Sequence, residues 1–297
     1  MGYKGSYKTI RKGKLQDPSE QPSEDLLSRC NDTFFAHTPF GRLERLMSRI
    51  STAVCLGCGR RLSRHLRFCA ACEMEYRRAK TWQCGVCGRP LPDCDCSSAY
   101  LFRNHVPRAA KLLHYHTGNG DAVENRIILY LKRRDERAIF RFFAAEMKES
   151  VRRLIPKTGE VVLTFIPRPR DRRALFGFDQ AERLAQALGE CLSLPVLPSL
   201  KRVRFASSQK EQETMKERVE NAKRSFRICT RTPLTGKTVL LVDDIITTGA
   251  TMVAAADVLR RNGAKRIYAV ALATAMRHPN IKYEHAANTH IPWYENR

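Results

Sequence analysis

Two groups of residues in the 297-residue chain have types and spacings that could do chemistry. The first is a set of eight cysteines. Cys55-Leu-Gly-Cys58-Gly-Arg recurs as Cys84-Gly-Val-Cys87-Gly-Arg, and each copy is followed by another close pair, Cys69 with Cys72 and Cys94 with Cys96. Two intervening residues let both sulfurs reach one tetrahedral ion, and the glycine that follows permits the tight turn around it. The four pairs supply two four-cysteine sites, taken in chain order as Cys55, Cys58, Cys69, Cys72 and as Cys84, Cys87, Cys94, Cys96; an interleaved pairing stays open. Thiolate softness suits zinc, two ions in all. The competing occupants are an iron–sulfur cluster and redox pairs, the latter normally set in a strand–helix context missing here. Metal binding would contribute folding free energy to a segment too short and polar to fold on apolar burial alone. Cys30, Cys191 and Cys229 have no near partner and read as buried inert thiols, and His65 as a surface histidine.

The second group is Val239-Leu-Leu-Val-Asp243-Asp244-Ile-Ile-Thr247-Thr248-Gly249-Ala250-Thr251. An apolar strand ends in two carboxylates, and a small, hydroxyl-rich loop opens a helix. Main-chain amides of Thr247–Thr251 would point outward at the helix start, where the dipole favours an anion. The threonine hydroxyls add donors, and Gly249 permits close approach of a phosphate. The two acids can accept hydrogen bonds from sugar hydroxyls and favour a divalent cation. A buried strand with an ordinary turn and a capped helix would be the alternative.

The elements that must position these groups follow from pattern. Hydrophobic residues at 43% and charged residues at 28% fit a chain with a real core. No apolar stretch approaches the ~18 residues of a membrane span, and no apolar run follows the N-terminal lysines, so neither membrane insertion nor secretion is expected and the expected location is cytoplasmic. The net charge of +23 points to polyanionic partners. Residues 1–28 read as a disordered tail, and Phe34–Ile50 as a short amphipathic helix. From 108 to 155 apolar residues recur at helical spacing, broken by the charged patch Lys132–Arg137. Beyond Gly159, strand-like runs (Val161–Ile166, Thr238–Val242, Arg266–Leu272) alternate with helical ones (Gln180–Leu192, Gly249–Asn262), which predicts an α/β domain with a mostly parallel sheet flanked by helices.

The 239–251 segment resembles the phosphoribosyl-pyrophosphate signature of type I phosphoribosyltransferases. Ile166-Pro-Arg-Pro, Phe176-Gly-Phe-Asp-Gln180-Ala-Glu182, the spacing of Arg202, Gln209, Arg218, Asn221 and Phe226, and the cysteine pairs are similar to the ComF (ComFC/GntX-like) family. The resemblance covers roughly residues 50–275. It implies a type I phosphoribosyltransferase fold behind a small zinc-ribbon-like domain, divided as a 1–50 tail, a 51–100 zinc-binding domain, a 101–280 catalytic-type domain and a 281–297 tail. It further implies that Asp243 and Asp244 hold the ribose hydroxyls as catalytic residues and Thr247, Thr248, Gly249, Ala250 and Thr251 the 5′-phosphate. Arg168, Arg172 and Arg173 would face the pyrophosphate, with Mg2+ neutralising the leaving group. Two departures, Phe176 and Asp179 for the family's usual Arg and Asn, remove a cation and add a carboxylate, predicting weakened or altered pyrophosphate binding. The basic stretch Lys201–Arg231 would supply a mobile cover. Alternatively it tracks a nucleic-acid backbone through Lys201, Arg202, Arg204 and Arg218, with Phe205, Tyr130 or Trp82 stacking on bases. The family is associated with DNA uptake in natural transformation, so single-stranded DNA and competence-machinery proteins are expected partners. The alternatives to an enzyme are a non-catalytic single-strand binder and a regulator that senses phosphoribosyl pyrophosphate.

Overall fold

The computed structural model describes residues 53–62, 66–117, 121–203, 225–230 and 232–275. The expected tail and Phe34–Ile50 helix, Cys30, His65, Arg204, Phe205, Arg218 and the residues after Ala275 lie outside them, as does most of the expected cover. In chain order the elements are α1 (Ala70–Lys80), a short 3-10 turn (Leu91–Asp93), α2 (Ala99–Arg103), β1 (Ala109–Tyr115), α3 (Val123–Arg133) and α4 (Arg137–Arg152). There follow β2 (Val161–Phe165), α5 (Arg170–Phe176), α6 (Gln180–Leu192), β3 (Leu200–Arg202), β4 (Phe226–Ile228), β5 (Thr238–Ile246), α7 (Ala250–Arg261) and β6 (Arg266–Ala275).

β1, β6, β5 and β2 lie side by side in that order, every pair parallel. A parallel sheet is covered on both faces, so its strands are apolar throughout rather than alternating. Thr238–Val242 is buried along its whole length, as is Val161–Phe165. Packed on one face are α3, α4 and α6; α7 lies on the other. β3 and β4 form a separate antiparallel pair.

Two expectations need correction. Residues 109–115 are a strand, not part of a helical stretch: Ala-Ala-Lys-Leu-Leu-His-Tyr carries no β-branched residue, and its register on β6, Ala109 opposite Ala269 through Tyr115 opposite Ala275, comes from the sheet. The charged patch 132–137 does interrupt the helical stretch, spanning the break between α3 and α4. β5 also continues past Val242, because β6 extends alongside it to pair Asp243 with Ala271 and Ile246 with Thr274.

The cysteine segment is packed into this body. Leu56, Phe68, Cys72 and Tyr76 belong to the same buried cluster as Phe143, Met147 and Leu113. Phe68 stacks on Tyr76 with centroids 4.8 Å apart. On the other side, Leu101 of α2 joins the cluster that holds Ile246, Met252 and Val253.

Candidate functional site

The last β2–β5 pair is Phe165 with Val242, and the Ile166 amide closes that ladder on the Val242 carbonyl. β5 then runs on beyond its neighbour, leaving Asp243 and Asp244 at a rim where β2 has already turned away. Crevices at the carboxyl ends of parallel strands form in this way. The cleft there has a volume of about 480 Å³, with both aspartates and Thr251 in its wall.

The turn after β5 leaves main-chain donors without a partner among the described residues. Gly249 adopts φ 85° as the residue preceding α7, and no side chain caps the helix. The Ala250 amide donates to Thr248 Oγ1 at 3.3 Å, and the Val253 amide makes the first helical bond, to the Gly249 carbonyl. Among the described residues no other partner is found for the amides of residues 247–252. A three-turn helix that begins uncapped beside a cleft presents unsatisfied donors and the positive end of its dipole together.

Across the cleft stand cations. Arg168 and Arg172 line it. Arg168 is anchored: its guanidinium donates to the Lys132 carbonyl at 3.0 Å and the Phe178 carbonyl at 3.3 Å, and stacks 4.5 Å from the Phe176 ring centroid. Arg173 pairs with Glu182 at 3.2 Å and is outside the cleft wall. Arg202 also lines the cleft, over the Phe226 ring at 5.0 Å. Desolvation lowers its pKa, while Asp243 opposes that shift. The structure thus brings Arg202 into the cleft with Asp243, whereas Lys201 is exposed on the ribbon. Of the expected stacking rings, Trp82 is exposed against His114 and His116, and Tyr130 is hydrogen-bonded to Glu136. Cys229 is exposed and Cys191 half-buried, contrary to the expectation of buried thiols.

Two cleft residues escape a reading of the sequence. Gln180 donates to Asp244 Oδ2 at 2.9 Å, and Lys132 Nζ lies 3.5 Å from the same oxygen. Both belong to helices remote in sequence from β5, so no local spacing could reveal them; the Gln180 motif stands out only by its resemblance.

The departure at 179 faces inward. Asp179 is 2% exposed. It caps α6, accepting from the Ala181 and Glu182 amides at 3.0 and 3.3 Å through Oδ1, and from the Arg168 amide at 2.5 Å through Oδ2. Its charge is taken up by three N–H donors, and it fixes the loop after β2. Phe176, in place of the expected cation, supplies the ring that holds Arg168.

The two aspartates are themselves crowded. Burial and the neighbouring Asp244 carboxylate hold Asp243 well above the usual carboxylate range, with Arg202 acting weakly against them. Asp244 Oδ1 accepts from the Ile245 amide and Asp243 Oδ1 from the Asp244 amide, both at 2.8 Å. Two half-buried acids crowded together at a cleft wall favour a cation or hydroxyl donors between them and the cleft.

The cysteines gather in chain order, Cys55, Cys58, Cys69, Cys72 and Cys84, Cys87, Cys94, Cys96, with the sulfurs of each group within 4.8 Å of one another. Cys69 Sγ lies 3.8 Å from both Cys55 Sγ and Cys58 Sγ. A tetrahedron with zinc–sulfur bonds of about 2.3 Å has edges of about 3.8 Å, so the geometry suits zinc. The Cys72 amide draws the Cys69 thiol down to about 7, while burial pushes Cys72 up. The second group carries a cation of its own. Lys111, 6% exposed in β1, donates to Cys94 Sγ at 3.2 Å and to the Cys96 carbonyl at 2.6 Å.

Residues 177–294 match the family model of the phosphoribosyl transferase domain. Competence protein F of Haemophilus influenzae is 26% identical over 229 residues, 75% of this chain and 90% of that protein. A ribose-phosphate pyrophosphokinase of Thermococcus kodakarensis is 70% identical over 33 residues, 11% of this chain and 12% of its own. Among solved structures, a hypoxanthine phosphoribosyltransferase from Staphylococcus aureus aligns with a TM-score of 0.30 at 10% identity, over 49% of this chain and 71% of that one. No helix among the described residues is long and apolar enough to cross a membrane. A cysteine-rich N-terminal region holding two four-cysteine clusters, a type I phosphoribosyltransferase domain behind it and the similarity to competence protein F fit a ComF-like protein.

Proposed function

We propose that the cleft binds phosphoribosyl pyrophosphate with Mg2+ and that the chain transfers the phosphoribosyl group from it. One observation carries this reading: two aspartates at the end of β5 share a cleft with an uncapped helix start and face arginines across it. The amides and hydroxyls of Thr247, Thr248, Gly249, Ala250 and Thr251 take the 5′-phosphate, and Asp243 and Asp244 the ribose hydroxyls. Arg172 faces the pyrophosphate, and Arg168 shapes the loop from which it does so. Mg2+ supplies charge neutralisation of the leaving group; the protein contributes positioning and electrostatics. Asp244 would stabilise positive charge on the sugar as the anomeric bond breaks.

Thermal unfolding with phosphoribosyl pyrophosphate and Mg2+ tests the reading. Ligand at about 100 times its dissociation constant adds roughly 2.7 kcal/mol of stability, and no shift would sink the proposal. Replacing Asp243 and Asp244 with Ala should abolish the shift and leave zinc content unchanged. Pyrophosphate release with candidate nitrogen bases separates an enzyme from a sensor of the same ligand.

A second reading, handling of single-stranded DNA in the cytoplasm during DNA uptake, is favoured by the +23 charge and by the name of the competence relative. A flat dependence of single-strand affinity on salt would exclude it.

A further inference from the structure

Among the described residues, the cation nearest Asp244 comes from outside the loop that follows β2. Lys132 stands in the last turn of α3, on the crossover from β1 to β2, and lines the cleft. Its main-chain carbonyl is held by Arg168 at 3.0 Å, so the end of the helix is tied to the loop opposite β5. Its ammonium lies 3.5 Å from Asp244 Oδ2, with the lysine side chain 35% exposed and the aspartate 19%.

A plain ion pair accounts poorly for this arrangement. Charge-assisted N–H···O contacts close to about 2.7–2.9 Å, and this one has not. Asp244 does not need it: Oδ1 accepts from the Ile245 amide and Oδ2 from Gln180. An ammonium has three donors, and among the described residues this one has a single loose contact. Arg168 and Arg173, by contrast, are committed to carbonyls and to Glu182. Lys132 is therefore a positioned cation with donors to spare, beside the carboxylate that would hold the sugar diol.

We propose that Lys132 contacts the ligand and reads its diphosphate. When the ligand enters, the ammonium passes from Asp244 to the anionic group on the carbon next to the diol, and Asp244 Oδ2 becomes available to a sugar hydroxyl. The inference rests on the reading of the cleft as a phosphoribosyl pyrophosphate site and deepens it by assigning the discrimination between that ligand and ribose 5-phosphate, which keeps the 5′-phosphate and diol and lacks the diphosphate.

Calorimetric titration of the full chain with each of these two compounds, Mg2+ present, tests it in wild type, Lys132→Ala and Lys132→Arg. Lys132→Ala should weaken phosphoribosyl pyrophosphate roughly tenfold or more, the scale of a lost charged hydrogen bond. It should leave ribose 5-phosphate within about twofold or tighten it, since the carboxylate is unmasked. Lys132→Arg should recover part of the loss. Equal loss for both ligands would overturn the proposal, since Lys132 would then only place Asp244. No loss for either would overturn it as well. A wild-type chain that binds neither compound overturns the reading of the cleft, and this inference with it. The side chain is at a partly exposed helix end, and matching unfolding curves for the three proteins establish that they share a fold.

Discussion

Replacing Gly249 with alanine challenges the turn at its tightest point. A Cβ built on residue 249 would sit 2.9 Å from Leu101 Cδ2, 3.1 Å from Leu101 Cγ and 3.4 Å from Tyr100 Cδ1. Leu101 is 1% exposed, so its methyl groups have nowhere to retreat. The backbone at φ 85° adds a separate cost, about 1–2 kcal/mol for an L-residue in the left-handed region. Overpacking a filled core adds about 1–3 kcal/mol, for a total of roughly 2–5 kcal/mol. At about 2–4 °C per kcal/mol for a domain of 150–250 residues, the melting temperature should fall by roughly 4–20 °C. A double-mutant cycle separates the two causes. Leu101→Ala alone should cost about 2–5 kcal/mol, but in that background Gly249→Ala should cost only the backbone part, about 1–2 kcal/mol. Urea unfolding of the four proteins gives the coupling. If Gly249→Ala costs the same with and without Leu101, the contact is not what confines the turn.

Asp243→Asn should raise the melting temperature of the ligand-free chain at neutral pH. The folded pKa lies above the unfolded one, so the wild-type carboxyl loses stability as pH rises through that window; the advantage of Asn must shrink as pH falls to the unfolded pKa of about 4 and below it, where the carboxyl is protonated in both states. A variant that melts no higher than wild type at pH 7 refutes the assignment. Asp179→Ala should lose about 1–3 kcal/mol in chemical unfolding, because three N–H groups, one buried and two half-buried, lose their acceptor. Asp179→Asn should also lose stability, since its amide would set a donor against the Arg168 amide. Metal analysis should find two zinc ions per chain. In Lys111→Met one of them should pass to a chelator at lower chelator concentration than in wild type, the other unchanged; identical release curves would show that the ammonium does not support the second site.

The parts of the molecule visible in advance are those whose logic is local. Four aliphatics, two acids and a Thr-Thr-Gly turn lie in one short stretch, and each position has its own reason. The cysteine pairs are likewise read from spacing, and the order in which they assemble follows the chain. What escapes depends on distant partners. Lys111 interrupts the buried apolar run of β1 because a sulfur and a carbonyl from the second cysteine group absorb its charge. Lys132 and Gln180 meet Asp244 only once α3 and α6 are laid over the sheet. Asp179 depends on distant partners for a related reason: a carboxylate added near the cleft sounds repulsive until its two oxygens are seen to point at amides. Charge counted along a sequence carries a sign but no direction.

β1 is an outer strand of the sheet, with β6 on one side. On the other, its Ala109 amide is taken by the Asp95 carbonyl, between Cys94 and Cys96, and Cys96 bridges to Arg108. The second cysteine group therefore acts as a selvedge, finishing a border that would otherwise invite another chain to add itself. Removing a zinc ion held by that group should expose the border, and clumping should be the first symptom of chelation.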